Sequence, residues 1–309
     1  MDAPRAPAAL DADPSAAPVP VEGASPRRLY AATVESNDEC SPGYRLVRYR
    51  LDAPVRFRAG QFAMLRGDWG ADPLLGRPMS ILRLAAAADG ALAAPGAAAD
   101  RADFLLKVVG KGTQALADAR AGTRATLLAP LGTPFCDEAD AARRVLLVGG
   151  GVGVPPVYAM ARERAAAGRA AATTLFLGGR TAADVFPALA AEVAALGVEV
   201  VVATEDGSQG AAGRVTGPLA PRLRDAAAAP AGATVYACGP DGMLRALAAL
   251  CAGAAAEHGA TRVRYWAAVE QLMACGFGAC LGCVLPLADG RRKLVCTDGP
   301  VLDGREVYG

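Results

Sequence analysis

Three cysteines fall within nine residues in MACGFGACLGC (Cys275, Cys280 and Cys283), and a fourth, Cys296, follows in KLVCTDGP. The gaps between these thiols hold mostly glycine and alanine, which cannot build a core of their own. Such a segment folds around something the thiols bind. Thiolates are soft ligands suited to zinc or to iron–sulfur clusters. Zinc sites usually pair their ligands in two separate C-x2-C-like knuckles. Here three ligands share one loop and the fourth arrives after an excursion, C-x4-C-x2-C-x12-C, which is the plant-type [2Fe–2S] spacing. Gly276, Gly278, Ala279 and Gly282 give slender backbone for wrapping a cluster and for aiming amide N–H groups at sulfur. A structural zinc site and loosely packed cysteines are the alternatives. Cys40, Cys136 and Cys251 have no such neighbours and read as packed thiols.

The rest of the chain sets the context. Its 309 residues allow two domains, or three if one is small. With 32 basic against 31 acidic residues, charge recommends neither a nucleic acid nor an anionic membrane as partner. No apolar run reaches the roughly 18 residues a transmembrane helix needs. Residues 1–27, rich in proline with early acids, lack the basic start and apolar core of a signal peptide and read as a disordered tail. A reducing cytoplasm is the expected compartment, where clustered cysteines bind metal more often than they form disulfides.

Three segments follow the tail. Over 28–137, short β-like runs (LYAATVES, YRLVRYRL, QFAMLRG, SILRL, DFLLKVVG, RATLLAP) are punctuated by glycine and proline, the pattern of an antiparallel barrel. Over 138–262, strands alternate with helices of 10–20 residues, which implies a parallel sheet covered on both faces. Over 263–309 lies the cysteine segment. The expected fold is therefore multi-domain α+β: antiparallel barrel, parallel α/β domain, small cluster domain.

Two glycine loops and one strand end stand out. LLVGGGVGVPP places Gly150, Gly151, Gly153 and Pro155 at a strand-to-helix turn, where glycine lets a pyrophosphate approach and proline suits the first helical turn. The Gly-Lys-Ser/Thr ending of a P-loop is absent, and FLGGR closes the next strand without an acid, so nucleotide site and tight turn stay open. GRPMS offers Arg77 and Ser80, a diphosphate clamp and a hydroxyl for a ring nitrogen; VVGKGT adds a second glycine turn. Each could equally be an ordinary turn. YACGPDGM puts Cys238 at the carboxyl end of a strand, where open α/β sheets bind ligands. Glu205 and Asp206 in TEDGS either orient a nicotinamide or form a plain turn, and His258 reads as a solvated residue near a helix end.

In this order, the Arg-Pro-x-Ser, Gly-Lys-Gly-Thr, Gly-Gly-Gly-x-Gly-x-x-Pro, Cys-Gly-Pro and four-cysteine motifs resemble the electron-transfer subunits of NAD-dependent (type B) dihydroorotate dehydrogenases. These belong to the ferredoxin-reductase-like superfamily, and the likeness spans about 29–309. It implies an FAD site at Arg77, Pro78, Met79 and Ser80, at Leu105, Leu106 and Lys107, and at Gly112 and Thr113. It implies an NAD site at Gly150, Gly151, Gly153, Pro155, Cys238, Gly239 and Pro240, and cluster ligands Cys275, Cys280, Cys283 and Cys296. Two positions depart from the superfamily pattern: Met79 replaces an aromatic before the motif serine, and Leu106-Lys107 replaces Tyr-Arg, keeping the charge but losing the planar fork. Arg180 after LGG leaves the choice between NAD and NADP open.

The resemblance further implies electrons passing from an FMN-containing catalytic subunit through [2Fe–2S] and FAD to NAD+ in pyrimidine (UMP) biosynthesis, in a two-plus-two heterotetramer. No general base is needed. A reductase subunit for another redox partner (sulfide, ferredoxin or hydrogenase) and a zinc-stabilised binding module are the rival readings.

Overall fold

The computed structural model describes residues 24–86, 91–137, 140 and 142–309. Most of the segment read as a disordered tail, 1–23, lies outside these. Residues 24–27 do not hang free: Ser25 exchanges hydrogen bonds with Arg56, and the Arg27 guanidinium lies 5.7 Å from the ring centre of Phe277.

The first unit comprises β1 (Arg28–Ser41), β2 (Tyr44–Val55), β3 (Phe62–Gly67), β4 (Arg77–Ser80), β5 (Arg83–Ala85), β6 (Ala99–Lys107), a short helix α1 (Lys111–Ala117) and β7 (Arg124–Leu131). The strands form one antiparallel sheet in the order β4-β3-β7-β1-β2-β6-β5. Its two edges are joined by the chain itself. After Ser80 only Ile81 and Leu82 separate β4 from β5, and their N–H groups donate to the Gln61 and Asp103 carbonyls at 3.2 and 3.0 Å. SILRL, expected as one strand, is thus the crossing between the two edges of the barrel. Tyr30, Val47, Tyr49, Leu65, Ile81, Phe104 and Leu106 fill the interior. Lys111–Thr113 of VVGKGT, read as a glycine turn, is helical and opens α1.

The second unit contains β8 (Arg144–Gly150), α2 (Val154–Ala166), β9 (Thr173–Gly179), α3 (Pro187–Ala195), β10 (Glu199–Thr204), β11 (Ala211–Ala212), α4 (Thr216–Ala228), β12 (Ala233–Cys238), α5 (Asp241–His258) and β13 (Val263–Ala268). The sheet order is β11-β10-β9-β8-β12-β13, all parallel. β8 shows why it is central: Val145 and Leu147 pack with α2 and α3 on one face, Leu146 and Val148 with α4 and α5 on the other. A strand apolar on both faces needs helices on both.

The cysteine segment carries a hairpin, β14 (Val284–Pro286) with β15 (Arg292–Leu294), then β16 (Val301–Asp303) and α6 (Gly304–Tyr308). β16 pairs antiparallel with β13 and so extends the parallel sheet. The expected boundary at 262/263 falls just ahead of β13, and the sheet runs across it. Among the described residues no helix is long and apolar enough to cross a membrane.

Candidate redox-cofactor site

The carboxyl ends of β8 and β12, adjacent and in register, bring together two of the motifs. The chain leaves β8 at Gly150, turns through Gly151 at φ +52°, and enters α2 with Pro155 in its first turn. A β-carbon on Gly153 would come within 2.4 Å of the Cys238 carbonyl oxygen, and one on Gly150 within 2.9 Å of Pro240 Cδ. The two segments therefore touch backbone to backbone at Gly153 and Cys238, while the Met243 side chain of α5 closes over Gly150 and Gly239, within 2.7 and 2.6 Å of a β-carbon at each. Cys238 is buried, and burial pushes its thiol well above the ordinary range. Glu270, two residues beyond β13, adds its negative charge to that shift. Glu270 itself is exposed, and the protein packed beside it raises its carboxyl above the usual range.

The barrel motifs meet in the same way. Arg77 lies directly over Gly112, where a β-carbon would fall within 1.9 Å of its guanidinium, and its Nη1 donates to the Leu75 carbonyl at 2.8 Å. The Thr113 hydroxyl accepts from the Val109 and Gly110 N–H groups and donates to the Gly110 carbonyl, so it shapes the turn. What the turn offers an anion is backbone N–H of the first turn of α1 together with Arg77. Pro78, Met79 and Ser80 are half-buried along β4, with Met79 packed on the barrel core. Leu106 points wholly into that core and can meet a cofactor only through its backbone, whereas Leu105 packs toward the nucleotide unit.

Lys107 faces the second unit. Its ammonium lies 3.6 Å from Asp184 and 4.8 Å from the Tyr44 ring centre, and the Tyr44 hydroxyl donates to Asp184 at 2.5 Å. Burial alone would raise the Asp184 carboxyl, but Tyr44, the N–H groups of Thr181 and Arg180, and Lys107 together hold it below the usual range. Arg180 is largely exposed, 3.8 Å from the same carboxylate. Asp206 binds the N–H and hydroxyl of Ser208 at 3.0 and 2.6 Å, the plain-turn reading of TEDGS. His258 ends α5, partly exposed beside Glu257.

The cysteine loop is seated between the two units. A β-carbon on Gly276 would come within 2.4 Å of Met64 of β3, and Cys283 and Cys296 belong to the apolar cluster that also holds Phe62, Leu131 and Leu146. Gly276 and Gly278 take φ of +78° and +91°, which only glycine adopts without strain. The sulfurs are already addressed by backbone: Cys275 Sγ accepts from the Phe277 and Cys280 N–H groups at 3.5 and 3.4 Å, Cys280 Sγ from Gly282, and Cys283 Sγ from Cys296. Burial opposes ionisation of Cys275, yet these N–H groups outweigh it and lower the thiol to about 7. Cys283 and Cys296 sulfurs are 3.2 Å apart, bringing the fourth thiol to the loop. Among the described residues no three His, Cys, Asp or Glu side chains are drawn together closely enough to hold a metal ion. Four thiols without nitrogen or oxygen donors, in a glycine cradle with amides aimed at sulfur, fit an iron–sulfur cluster.

Sequence reading passed over Tyr44, Asp184 and Glu270. The first two meet across 140 positions, and nothing local marks either. Glu270 carries a signal that could have been used, since it stands at the end of an apolar strand five residues ahead of the first cluster cysteine.

Comparison with known proteins agrees with this geometry. The family model for the iron–sulfur cluster binding domain of dihydroorotate dehydrogenase B matches residues 270–308, and that for an oxidoreductase NAD-binding domain matches 147–249. The dihydroorotate dehydrogenase B (NAD(+)) electron transfer subunit of Bacillus caldolyticus is 38% identical over 251 residues, covering 80% of this chain and 86% of its own. That of Listeria monocytogenes serotype 4a is 35% identical over 253 residues, with the same coverage of 80% and 86%. Among solved structures, an NADH-dependent reduced ferredoxin-NADP oxidoreductase superposes with a TM-score of 0.66 at 24% identity, covering 89% of each chain. A ferredoxin reductase of carbazole 1,9a-dioxygenase gives 0.65 at 24% identity, covering 81% of this chain and 70% of its own. Two converged glycine segments, an arginine-clamped turn and a four-thiol loop thus sit in a ferredoxin-reductase-like fold, and the chain belongs to the family of dihydroorotate dehydrogenase B electron transfer subunits.

Proposed function

We propose that this chain, working in the cytoplasm, takes electrons from the FMN of a separate dihydroorotate dehydrogenase catalytic subunit and delivers them to NAD+, within a two-plus-two heterotetramer. The observation that carries this reading is the setting of the four thiols. They lie where barrel and nucleotide unit meet, and their loop shows large apolar side chains to the outside: Leu272 is 87% exposed, Phe277 43% and Leu281 43%. Apolar side chains grouped around a redox loop mark a surface that a partner covers.

When bound, the cluster supplies one-electron steps and the flavin joins them to the two-electron exchange with nicotinamide. The chain's residues do the placing. Arg77 and the α1 turn would hold the FAD diphosphate, Ser80 would offer its hydroxyl to the flavin, and the Lys107 charge lies at the junction with the nucleotide unit. Gly150 to Pro155 would receive the NAD pyrophosphate at the α2 N-terminus, and Cys238 to Pro240 would lie beside the nicotinamide. In this division 28–137 serves FAD, 138–262 serves NAD and 263–309 serves the cluster.

The test is reconstitution with the purified catalytic subunit. Dihydroorotate-dependent NADH formation, lost with Leu272→Asp while direct flavin reduction by NADH persists, is the expected result. No turnover from a fully loaded pair would remove dihydroorotate dehydrogenase as the partner.

A further inference from the structure

The barrel and the α/β unit are fastened to each other by polar side chains, and one buried arginine makes a central connection. Arg83 opens β5, three residues after Ser80, and is 8% exposed. Its Nε donates to Asp103 of β6 at 2.9 Å, within its own unit. Its Nη1 crosses to the other unit, donating to the Tyr158 hydroxyl of α2 at 3.1 Å and to the Glu192 carboxylate of α3 at 2.5 Å. Tyr158 in turn donates to the same Glu192 oxygen. Asp103 is fixed from behind by Arg48, which grips both its oxygens at 2.6 and 2.8 Å. Two cations and two anions balance, and each link of the chain is made.

On the FAD and NAD sites proposed above, we propose that Arg83 is a positioning residue for hydride exchange, setting the flavin-binding edge of the barrel against the nucleotide loop. The covalent distances are short on both sides. Arg83 follows the flavin motif within three residues, and Tyr158 lies one turn into the helix that begins directly after Gly153. Domains of one chain move against each other unless something holds them. A planar guanidinium with donors fixed in a fork holds orientation as well as distance. Further polar fastenings lie elsewhere on the same interface, among them Tyr44 to Asp184, the Ala59 N–H to Glu163 at 2.7 Å, and Arg162 to the Ala93 carbonyl at 3.0 Å. Contacts at three or more separated points suffice to fix one body on another. Tyr44 and Asp184 border Lys107 and Gly151, whereas Arg83, Tyr158 and Glu192 are not among the residues assigned to either cofactor, so their effect on chemistry is through placement of the two units.

The experiment uses the full chain loaded with FAD and cluster, and follows reduction of the bound flavin by NADH, a two-electron hydride transfer that leaves NAD+. Glu192→Ala, Tyr158→Phe and Arg83→Lys are compared with wild type for flavin-reduction rate, for the long-wavelength absorbance of nicotinamide stacked on flavin, and for FAD content and thermal midpoint. Hydrogen exchange of the segments 83–85 and 158–163 reads the interface without reference to activity. Glu192→Ala is expected to keep its FAD and its midpoint, speed exchange in those two segments, weaken the stacking band and slow flavin reduction on the order of tenfold. Glu192→Gln, which still offers an oxygen to Arg83 and Tyr158, restores most of the rate. Should Arg83→Lys fail to fold, the Glu192 and Tyr158 variants decide. An unchanged rate and band, or a rate that falls only in step with lost FAD or a lowered midpoint, would overturn the proposal and leave Arg83 a structural brace.

Discussion

The backbone of Gly153 touches the backbone of Cys238: a β-carbon at 153 would sit 2.4 Å from the Cys238 carbonyl oxygen. The obstacle is main chain in the middle of the sheet, so it cannot swing aside as a side-chain tip would. Gly153→Ala should force the nucleotide loop away from the strand end, at a cost of about 1–3 kcal/mol in stability. KM for NADH should rise severalfold while FAD content stays at wild-type level. Steady-state NADH oxidation with an artificial acceptor, beside a flavin assay, checks both.

At Gly112 the same kind of contact has a different consequence. The group in the way is the guanidinium of Arg77, the far end of a flexible side chain. Gly112→Ala should leave the apo-protein folded and displace Arg77 from the α1 turn, weakening FAD binding about tenfold, the value of one charge-assisted contact. Titration of apo-protein with FAD by flavin fluorescence would show it; equal affinity would separate Arg77 from the diphosphate.

Cys296 is the thiol that arrives from outside the loop, and its N–H group also donates to Cys283. Cys296→Ala should therefore lose nearly all iron while retaining FAD. Flavin reduction by NADH should continue, and electron delivery between flavin and the catalytic partner should cease. Iron analysis with parallel half-reactions distinguishes this from a general loss of fold.

Glu163 supplies a pH signature at the junction of the units. Burial holds its carboxyl above the usual range, against the opposing pull of the Ala59 N–H and Arg58. A carboxyl raised in the folded state binds its proton more tightly there than in the unfolded chain. Its contribution is thus most favourable below the ordinary carboxylate pKa and declines as pH rises through the raised value. Stability of wild type relative to Glu163→Gln should fall as pH rises from about 4, the ordinary carboxylate value, through the raised one. Urea unfolding of both proteins across that range reads the difference, and a difference that grows with pH would contradict the assignment.

What the sequence made legible was local. The cysteine spacing, the glycine turn leading into α2 and the alternation of strand with helix are each set by neighbours in the chain. Contacts that join distant segments were silent: Tyr44 reads as one more apolar strand residue, and Asp184 as a surface acid after LGGR. Arg83 and Glu192 meet across 109 positions. SILRL misled because its apolar residues serve both barrel edges, and periodicity does not report where a chain changes partners. VVGKGT misled because a glycine turn and the start of a short helix share composition.

The central claim is that one chain holds FAD and a four-thiol [2Fe–2S] cluster in line with NAD. Its most direct test is the absorption spectrum of the anaerobically purified protein before and after NADH. Flavin bands with a broad shoulder to longer wavelength, all bleached by NADH, are the expected result. Zinc in place of iron, or a fully loaded protein whose spectrum ignores NADH, would contradict it.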